Sequence, residues 1–185
     1  MKESMRIVRT LCFVALIAGA SLVFVSRWAT PKIKANQEEA FFEAVKSIFK
    51  GAEGVELFPS GQMQIYRAMD SKGVLLGYVF TQEGKGYAGT IGIMVGLSPD
   101  LNTIEGIEIL ESQETPGLGG EIITGWFRKQ FKGLNAGSPI GRTKREPVKE
   151  NNEIQAISGA TISTDSVLNI LNDSIPEVIE IMRGK

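Results

Sequence analysis

An uncharged, mostly apolar run from Leu11 to Val25, extended by Thr10 and Ser26, constrains this chain more than any other feature. Lys2, Arg6 and Arg9 precede it, and Arg27, Lys32 and Lys34 follow it. Such a run is poorly suited to water and either crosses a bilayer or is removed. It lies near the short limit of the ~17–25 residues that a spanning helix needs. Ile7 and Val8, with Arg9 snorkelling, can lengthen it. Two readings stand. One is an uncleaved single-span anchor over residues 10–27; the other is a cleaved secretory signal with Ala18-Gly19-Ala20 as its small-residue site. Cleavage there would leave Leu22-Val23-Phe24-Val25 as an exposed apolar N-terminus. The single cysteine, Cys12, sits inside the run and reads as a small hydrophobe. Three bases flank each side, so charge does not set the orientation.

Beyond the run, a chain of 185 residues has enough left for one domain. Charged residues make up 22% and net charge is −1, which argues against nucleic acid as a partner. There is no histidine. With one cysteine and no histidine, zinc, haem and iron–sulfur sites built from protein ligands are excluded, as are Ser-His-Asp and Cys-His catalysis. No residue is assigned a catalytic role and none is assigned to a metal. Redox chemistry here requires an organic cofactor.

Ala29-Thr30-Pro31 reads as a break after the anchor. Asn36 can cap a helix that carries Ala40, Phe41, Ala44, Val45, Ile48 and Phe49 at helical spacing and ends at Gly51. This helix is expected to pack on the domain. Strands are predicted over Gln64–Met69, Val74–Thr81, Thr90–Leu97 and Ile104–Leu110, joined as an antiparallel meander. In Thr90–Leu97, Ile91, Ile93, Val95 and Leu97 mark one buried face. Gly92, Met94 and Gly96 on the other face imply that something approaches closely. Glu121–Phe131 reads as a short helix, and Lys132–Asn152 as the most mobile connection. Ile154–Ile157 is a short strand. Ser163 or Thr164 is expected to cap a final helix that Pro176 interrupts.

Three segments stand out chemically. Ser158-Gly159-Ala160-Thr161-Ile162-Ser163-Thr164 places the Thr161 hydroxyl among small residues just ahead of a helix. A free helix start offers N–H groups and a positive dipole end to a phosphate, so a phosphate ester on Thr161 would sit well there. Ser163 and Thr164 are expected to hydrogen-bond it. Glu114-Thr115-Pro116-Gly117-Leu118-Gly119 is a loop whose backbone can run close to a flat ligand. Gly86-Tyr87-Ala88-Gly89 is a tight turn into a strand. Each alone is also consistent with ordinary turn or cap structure. Trp126 and Phe127 read as core, and Lys85, Arg128 and Lys129 as solvated bases that could neutralise a phosphate.

Taken together, a single N-terminal span, Gly86-Tyr87-Ala88-Gly89, Glu114 to Gly119 and Ser158 to Thr161 resemble the FMN-binding G subunit of the Rnf ion-translocating electron-transport complex. The C subunit of the sodium-pumping NADH:quinone reductase is similar. The resemblance covers nearly the whole chain. It implies an α+β fold: a transmembrane helix followed by a small FMN-binding domain with an antiparallel sheet flanked by helices. The implied segments are a cytoplasmic N-terminus (1–9), the span (10–27), a juxtamembrane linker and helix (28–50) and an extracytoplasmic domain (51–185). FMN would be joined through its phosphate to Thr161 by a separate flavin transferase acting on FAD. Ser158, Gly159, Ala160, Ser163, Thr164, Glu114, Thr115, Pro116, Gly117, Leu118 and Gly119 would surround it. N–H donors near the ring would favour reduced, anionic flavin. The protein would be an electron relay in the cell (inner) membrane, with other integral subunits and the lipid bilayer as partners. The alternatives are the quinone-reductase subunit, a stand-alone anchored flavoprotein of extracellular electron transfer, and a cofactor-free anchored binding domain. At Gln155 the chain departs from the family pattern, which has an acid six residues before the modified threonine. Glutamine keeps hydrogen bonding there without the charge.

Overall fold

The structure is a computed structural model that describes residues 2–59 and 63–184, with side chains from residue 5. Met1, residues 60–62 and Lys185, which belong to the expected segments 1–9 and 51–185, lie outside the described residues. The chain divides into two units, Met1–Ala40 and Phe41–Lys185.

The described residues of the first unit lie within helix α1 (Lys2–Ile48). Its most apolar 18-residue window has a mean hydropathy of 2.2 and no buried residue. Leu11, Phe13, Leu16, Leu22 and Phe24 are all exposed. An apolar surface of this extent needs lipid or protein around it, and the helix is long and apolar enough to cross a membrane. The predicted break at Pro31 is absent: the helix runs through it. A proline removes one helical hydrogen bond. The turn ahead of it is reinforced by Thr30, whose hydroxyl donates to the Ser26 carbonyl at 2.7 Å.

In the second unit, five strands form an antiparallel meander in the order β1-β2-β3-β4-β5. They are β1 (Gly54–Phe58), β2 (Ile65–Met69), β3 (Leu75–Lys85), β4 (Thr90–Leu97) and β5 (Ile104–Ser112). The meander matches the expectation. Strand β1 was not anticipated, because Gly54-Val55-Glu56-Leu57-Phe58 is an edge strand with a mixed burial pattern. Strand β3 runs beyond the predicted end at Thr81 to Lys85, pairing Lys85 with Thr90 and leaving residues 86–89 as the turn.

Strand β4 is buried on both faces rather than one. Ile91, Ile93, Val95 and Leu97 join the larger core, with Phe127, Phe131 and a C-terminal helix α3 (Thr161–Arg183). Met94 joins a second core with Ala44, Val45, Ile48 and Phe49 from the end of α1. The close approach implied by the small residues of β4 is made by this helix end. A Cβ on Gly96 would collide with Ile48 and Phe49.

The predicted helix over Glu121–Phe131 is a 3-10 turn (Gly119–Ile123) followed by a short helix α2 (Gly125–Lys129). Thr124 divides them: its hydroxyl donates to the Glu121 carbonyl and accepts the Phe127 N–H. The segment read as a mobile connection is tied down. Its β6 (Gly141–Thr143) pairs in parallel with β7 (Glu153–Gln155). Buried Asn152 accepts the Asn135 N–H at 2.8 Å and donates to the carbonyls of Asn135, Ser138 and Pro139.

Helix α3 differs from the prediction twice. It starts at Thr161, with Ala160 at the N-cap and no side-chain cap. Thr164 does not cap; its hydroxyl turns inward, donating to the Ala160 carbonyl and accepting the Ile157 N–H. The helix also continues through Pro176. Pro176 is exposed, while Ser174, Ile175, Val178 and Ile179 on the inner side are buried. Burying such side chains is worth about 1.5–3 kcal/mol each, which offsets the missing bond.

Candidate functional site

Residues far apart in sequence converge on a cavity of about 400 Å³, lined by Tyr87, Glu114, Thr115, Leu118, Gly119, Gly159, Ala160, Thr161, Ile162 and Ser163. All three chemically distinctive segments contribute to it. Thr161 is the first residue of α3 and is half-buried. The first N–H groups of a helix have no intrahelical acceptor, and Ala160 supplies no side-chain oxygen to them. Positive dipole and free N–H groups therefore meet beside the Thr161 hydroxyl, a setting suited to a phosphate. Gly159 precedes this with φ +80, a left-handed conformation that favours glycine.

Thr115 builds the second wall. Its carbonyl accepts the N–H groups of Leu118 at 3.2 Å and Gly120 at 2.9 Å, curling the loop into a tight turn. That turn leaves Leu118 half-exposed at the cavity. Tyr87 and Ile162 are exposed at its margin, at 67% and 58%. Large apolar side chains open to solvent around a polar floor suit a flat aromatic ligand better than a sugar or a peptide.

Glu114 joins the walls. Ser163 donates to one of its carboxylate oxygens at 2.6 Å, and the Ala88 N–H to the other at 3.0 Å. Burial by itself pushes the Glu114 carboxyl up. Hydrogen bonds from Ser163 and from the backbone of Ala88, Tyr87 and Gly89 outweigh it, holding the group below the usual 4.5. Gly119 packs so closely on the Ser163–Glu114 pair that a Cβ there would collide with both.

Not every expected residue lines the cavity. Pro116, Gly117 and Ser158 shape its loops without lining it, and the buried Thr164 hydroxyl is spent within the start of α3. Ser163 is engaged by Glu114, so its hydroxyl proton is not free for a phosphate. Arg128 and Lys129 line a different cavity, with Lys50, Lys132 and Lys149, and Lys85 lines another with Glu83 and Asp173. Phe127 is core, as expected, whereas Trp126 is half-exposed. Tyr87 and Ile162 were missing from the expected set. An exposed large side chain inside each motif was the available signal.

A family model described as an FMN-binding domain matches residues 86–175, which brackets the whole cavity. The G subunit of an ion-translocating oxidoreductase complex from Methanosarcina acetivorans is 32% identical, over 96% of this chain and 95% of its own length. The chain belongs to the family of G subunits of ion-translocating oxidoreductase complexes. The G subunit of the Na(+)-translocating ferredoxin:NAD(+) oxidoreductase complex from Acetobacterium woodii is 38% identical, over 74% of this chain and 66% of its own length. Among solved structures, the C subunit of the Na(+)-translocating NADH-quinone reductase from Parabacteroides distasonis superposes with a TM-score of 0.57 at 27% identity, covering 64% of this chain and 62% of that one. The α+β fold expected from the family resemblance is the fold observed.

The residues present fit FMN. The uncapped start of α3 suits its phosphate, and the Tyr87, Leu118 and Ile162 margin suits its ring. At Gln155, the departure from the family pattern, the backbone is held from both sides by one amide: the Gln155 N–H donates to Gln130 Oε1 at 2.7 Å, and Gln130 Nε2 donates to the Gln155 carbonyl at 3.4 Å.

Proposed function

We propose that this chain is the electron-relay subunit of a membrane-bound, ion-translocating oxidoreductase of Rnf type, linked to ferredoxin and NAD, with one FMN joined by a phosphoester to Thr161. Helix α1 is a single-pass anchor in the cell (inner) membrane, and the domain lies on the extracytoplasmic side. Integral subunits of the complex and the bilayer are its standing partners; a flavin transferase is a transient one.

A single observation carries this reading. The Thr161 hydroxyl sits at an uncapped helix start, in the wall of the cavity built from the other two motifs. Thr161 Oγ1 would attack the FMN phosphorus of FAD. The P–O–P bond breaks, AMP leaves, and the hydroxyl proton goes to solvent or to the transferase. The first-turn N–H groups of α3 would then balance the phosphate charge. Leu118, Tyr87 and Ile162 would shield the ring from water. Bound FMN supplies the redox chemistry, and the protein sets its position and its potential.

The test is flavin fluorescence in a denaturing gel of the full chain, expressed with its transferase, followed by mass measurement of the peptide containing Thr161. The expected mass increment is that of FMN less water. Thr161→Ala should abolish the signal and leave the fold intact. Covalent fluorescence retained in that variant refutes the attachment.

A further inference from the structure

We propose that Glu114 is the positioning residue of the flavin cavity: its carboxylate fills the anion nest of the Tyr87–Gly89 turn, ties that turn to the start of α3, and biases a bound flavin toward its oxidised form. This rests on the FMN reading and goes beyond it, because it gives Glu114 a role without direct contact to the phosphate.

The geometry has three parts. First, Glu114 is 7% exposed and lies in the cavity lining. Its two oxygens divide their work: one receives the Ala88 N–H, the other the Ser163 hydroxyl. The neighbouring N–H groups of Tyr87 and Gly89 help to hold the carboxyl below its usual value. Successive backbone N–H groups pointing into one concavity form a nest for an anion. From its glycines, the Gly86-Tyr87-Ala88-Gly89 turn looks like a cradle for a ligand phosphate. In the fold, the protein's own carboxylate occupies it. Second, packing closes around this carboxylate. A Cβ on Gly86 would collide with one of its oxygens and a Cβ on Gly119 with the other. Two small residues from separate motifs thus leave the space that the carboxylate fills. Third, the link spans the cavity. Through Glu114, the turn that carries exposed Tyr87 is held to Ser163, two residues beyond Thr161.

One electrostatic consequence opposes the sequence expectation. N–H donors near the ring were expected to favour reduced, anionic flavin. That of Ala88 is spent on Glu114, and a fixed negative charge stands beside it. A unit charge within about 12 Å, at an effective dielectric of about 20, changes an equilibrium that adds one negative charge by about tenfold or more.

The experiment uses the full chain in detergent and has two arms. In the first, amide hydrogen exchange is followed in the flavin-free Thr161→Ala background. Adding Glu114→Gln should accelerate exchange at Ala88 at least tenfold; an unchanged rate overturns the proposal whether or not a flavin is carried. In the second, the flavin midpoint potential is measured. FMN is added to saturation if the denaturing gel shows no covalent flavin, a result that would sink the attachment but not this inference. Glu114→Gln should favour reduction at least tenfold, about 30 mV for a two-electron couple. Ser163→Ala keeps the charge and removes one donor, so it should shift the equilibrium at least threefold the other way. A merely structural role would move both variants in the same direction. Shifts of the same sign, or a Glu114→Gln shift under tenfold, overturn the proposal. If Glu114→Gln does not fold, the sign of the Ser163→Ala shift decides alone.

Discussion

Gly117 and Gly119 stand two residues apart in one loop, and alanine should act on them through different physics. Gly117 has φ +75 and open space where a Cβ would go. Alanine there bears only the left-handed backbone cost, about 1–2 kcal/mol. Gly119 has an ordinary backbone, but its missing Cβ is replaced by Glu114 Oε2 and Ser163 Oγ, with Ser163 Cβ at 3.1 Å. Glu114 cannot swing away without giving up its bonds to Ser163 and Ala88. Overpacking costs about 1–3 kcal/mol, and losing a hydrogen bond to a charged group about 1.5–3 kcal/mol. Gly119→Ala should therefore lose about 3–6 kcal/mol in all. At about 3 °C per kcal/mol for a unit of this size, its melting temperature falls by roughly 9–18 °C, against roughly 3–6 °C for Gly117→Ala. Intrinsic fluorescence of the full chain in detergent, heated at one protein concentration, reads both. Equal shifts, or a larger one for Gly117→Ala, would refute the claim that the Ser163–Glu114 pair is locked against Gly119.

The Glu114 carboxylate makes stability pH-dependent in a definite direction. The folded Glu114 titrates below its ordinary 4.5, so its contribution is present above that value and fades as pH falls through the lower folded value. Wild type should exceed Glu114→Gln in urea resistance at pH 7, and the gap should close in acid; a gap that widens in acid contradicts the hydrogen-bonded carboxylate. Asn152→Ala removes the hydrogen bonds to the backbone of residues 135, 138 and 139 and puts alanine at φ 52, so it should lose about 3–5 kcal/mol, with Asn152→Gly recovering about 1. Chemical denaturation of the three proteins tests that order. In β4, Gly96→Ala meets Ile48 and Phe49 and should lose about 1–3 kcal/mol. Gly92→Ala meets its nearest atom at 3.5 Å and should be neutral or gain about 0.4–1 kcal/mol. Thermal melts of the pair separate the part of this sheet face under the α1 end from the part beyond it.

Local chemistry in the chain was sufficient for four of the five meander strands and for finding the candidate cavity. Alternation marked Thr90–Leu97 as a strand with correct ends, because side chains on a pleat face opposite ways every residue. The uncharged run at Leu11–Val25 marked a segment unsuited to water, because apolar area alone decides that. The Ser158–Thr161 and Glu114–Gly119 motifs marked the site by their small residues and the one hydroxyl among them. Four matters were legible only in the folded structure. Pro31 and Pro176 do not break their helices, since one missing hydrogen bond is small beside a continuous helix or a packed face. The uncapped start of α3 follows from Thr164 turning inward to Ile157 and Ala160. The order of Lys132–Asn152 comes from one amide side chain bonding to backbone 13 to 17 residues away. Finally, the Gly86–Gly89 nest is filled by a carboxylate 26 residues further along the chain from the N–H it binds. Periodicity and residue type report on neighbours in sequence. Which charge meets which N–H is settled only when the folded sheet brings distant turns within about 3 Å of each other.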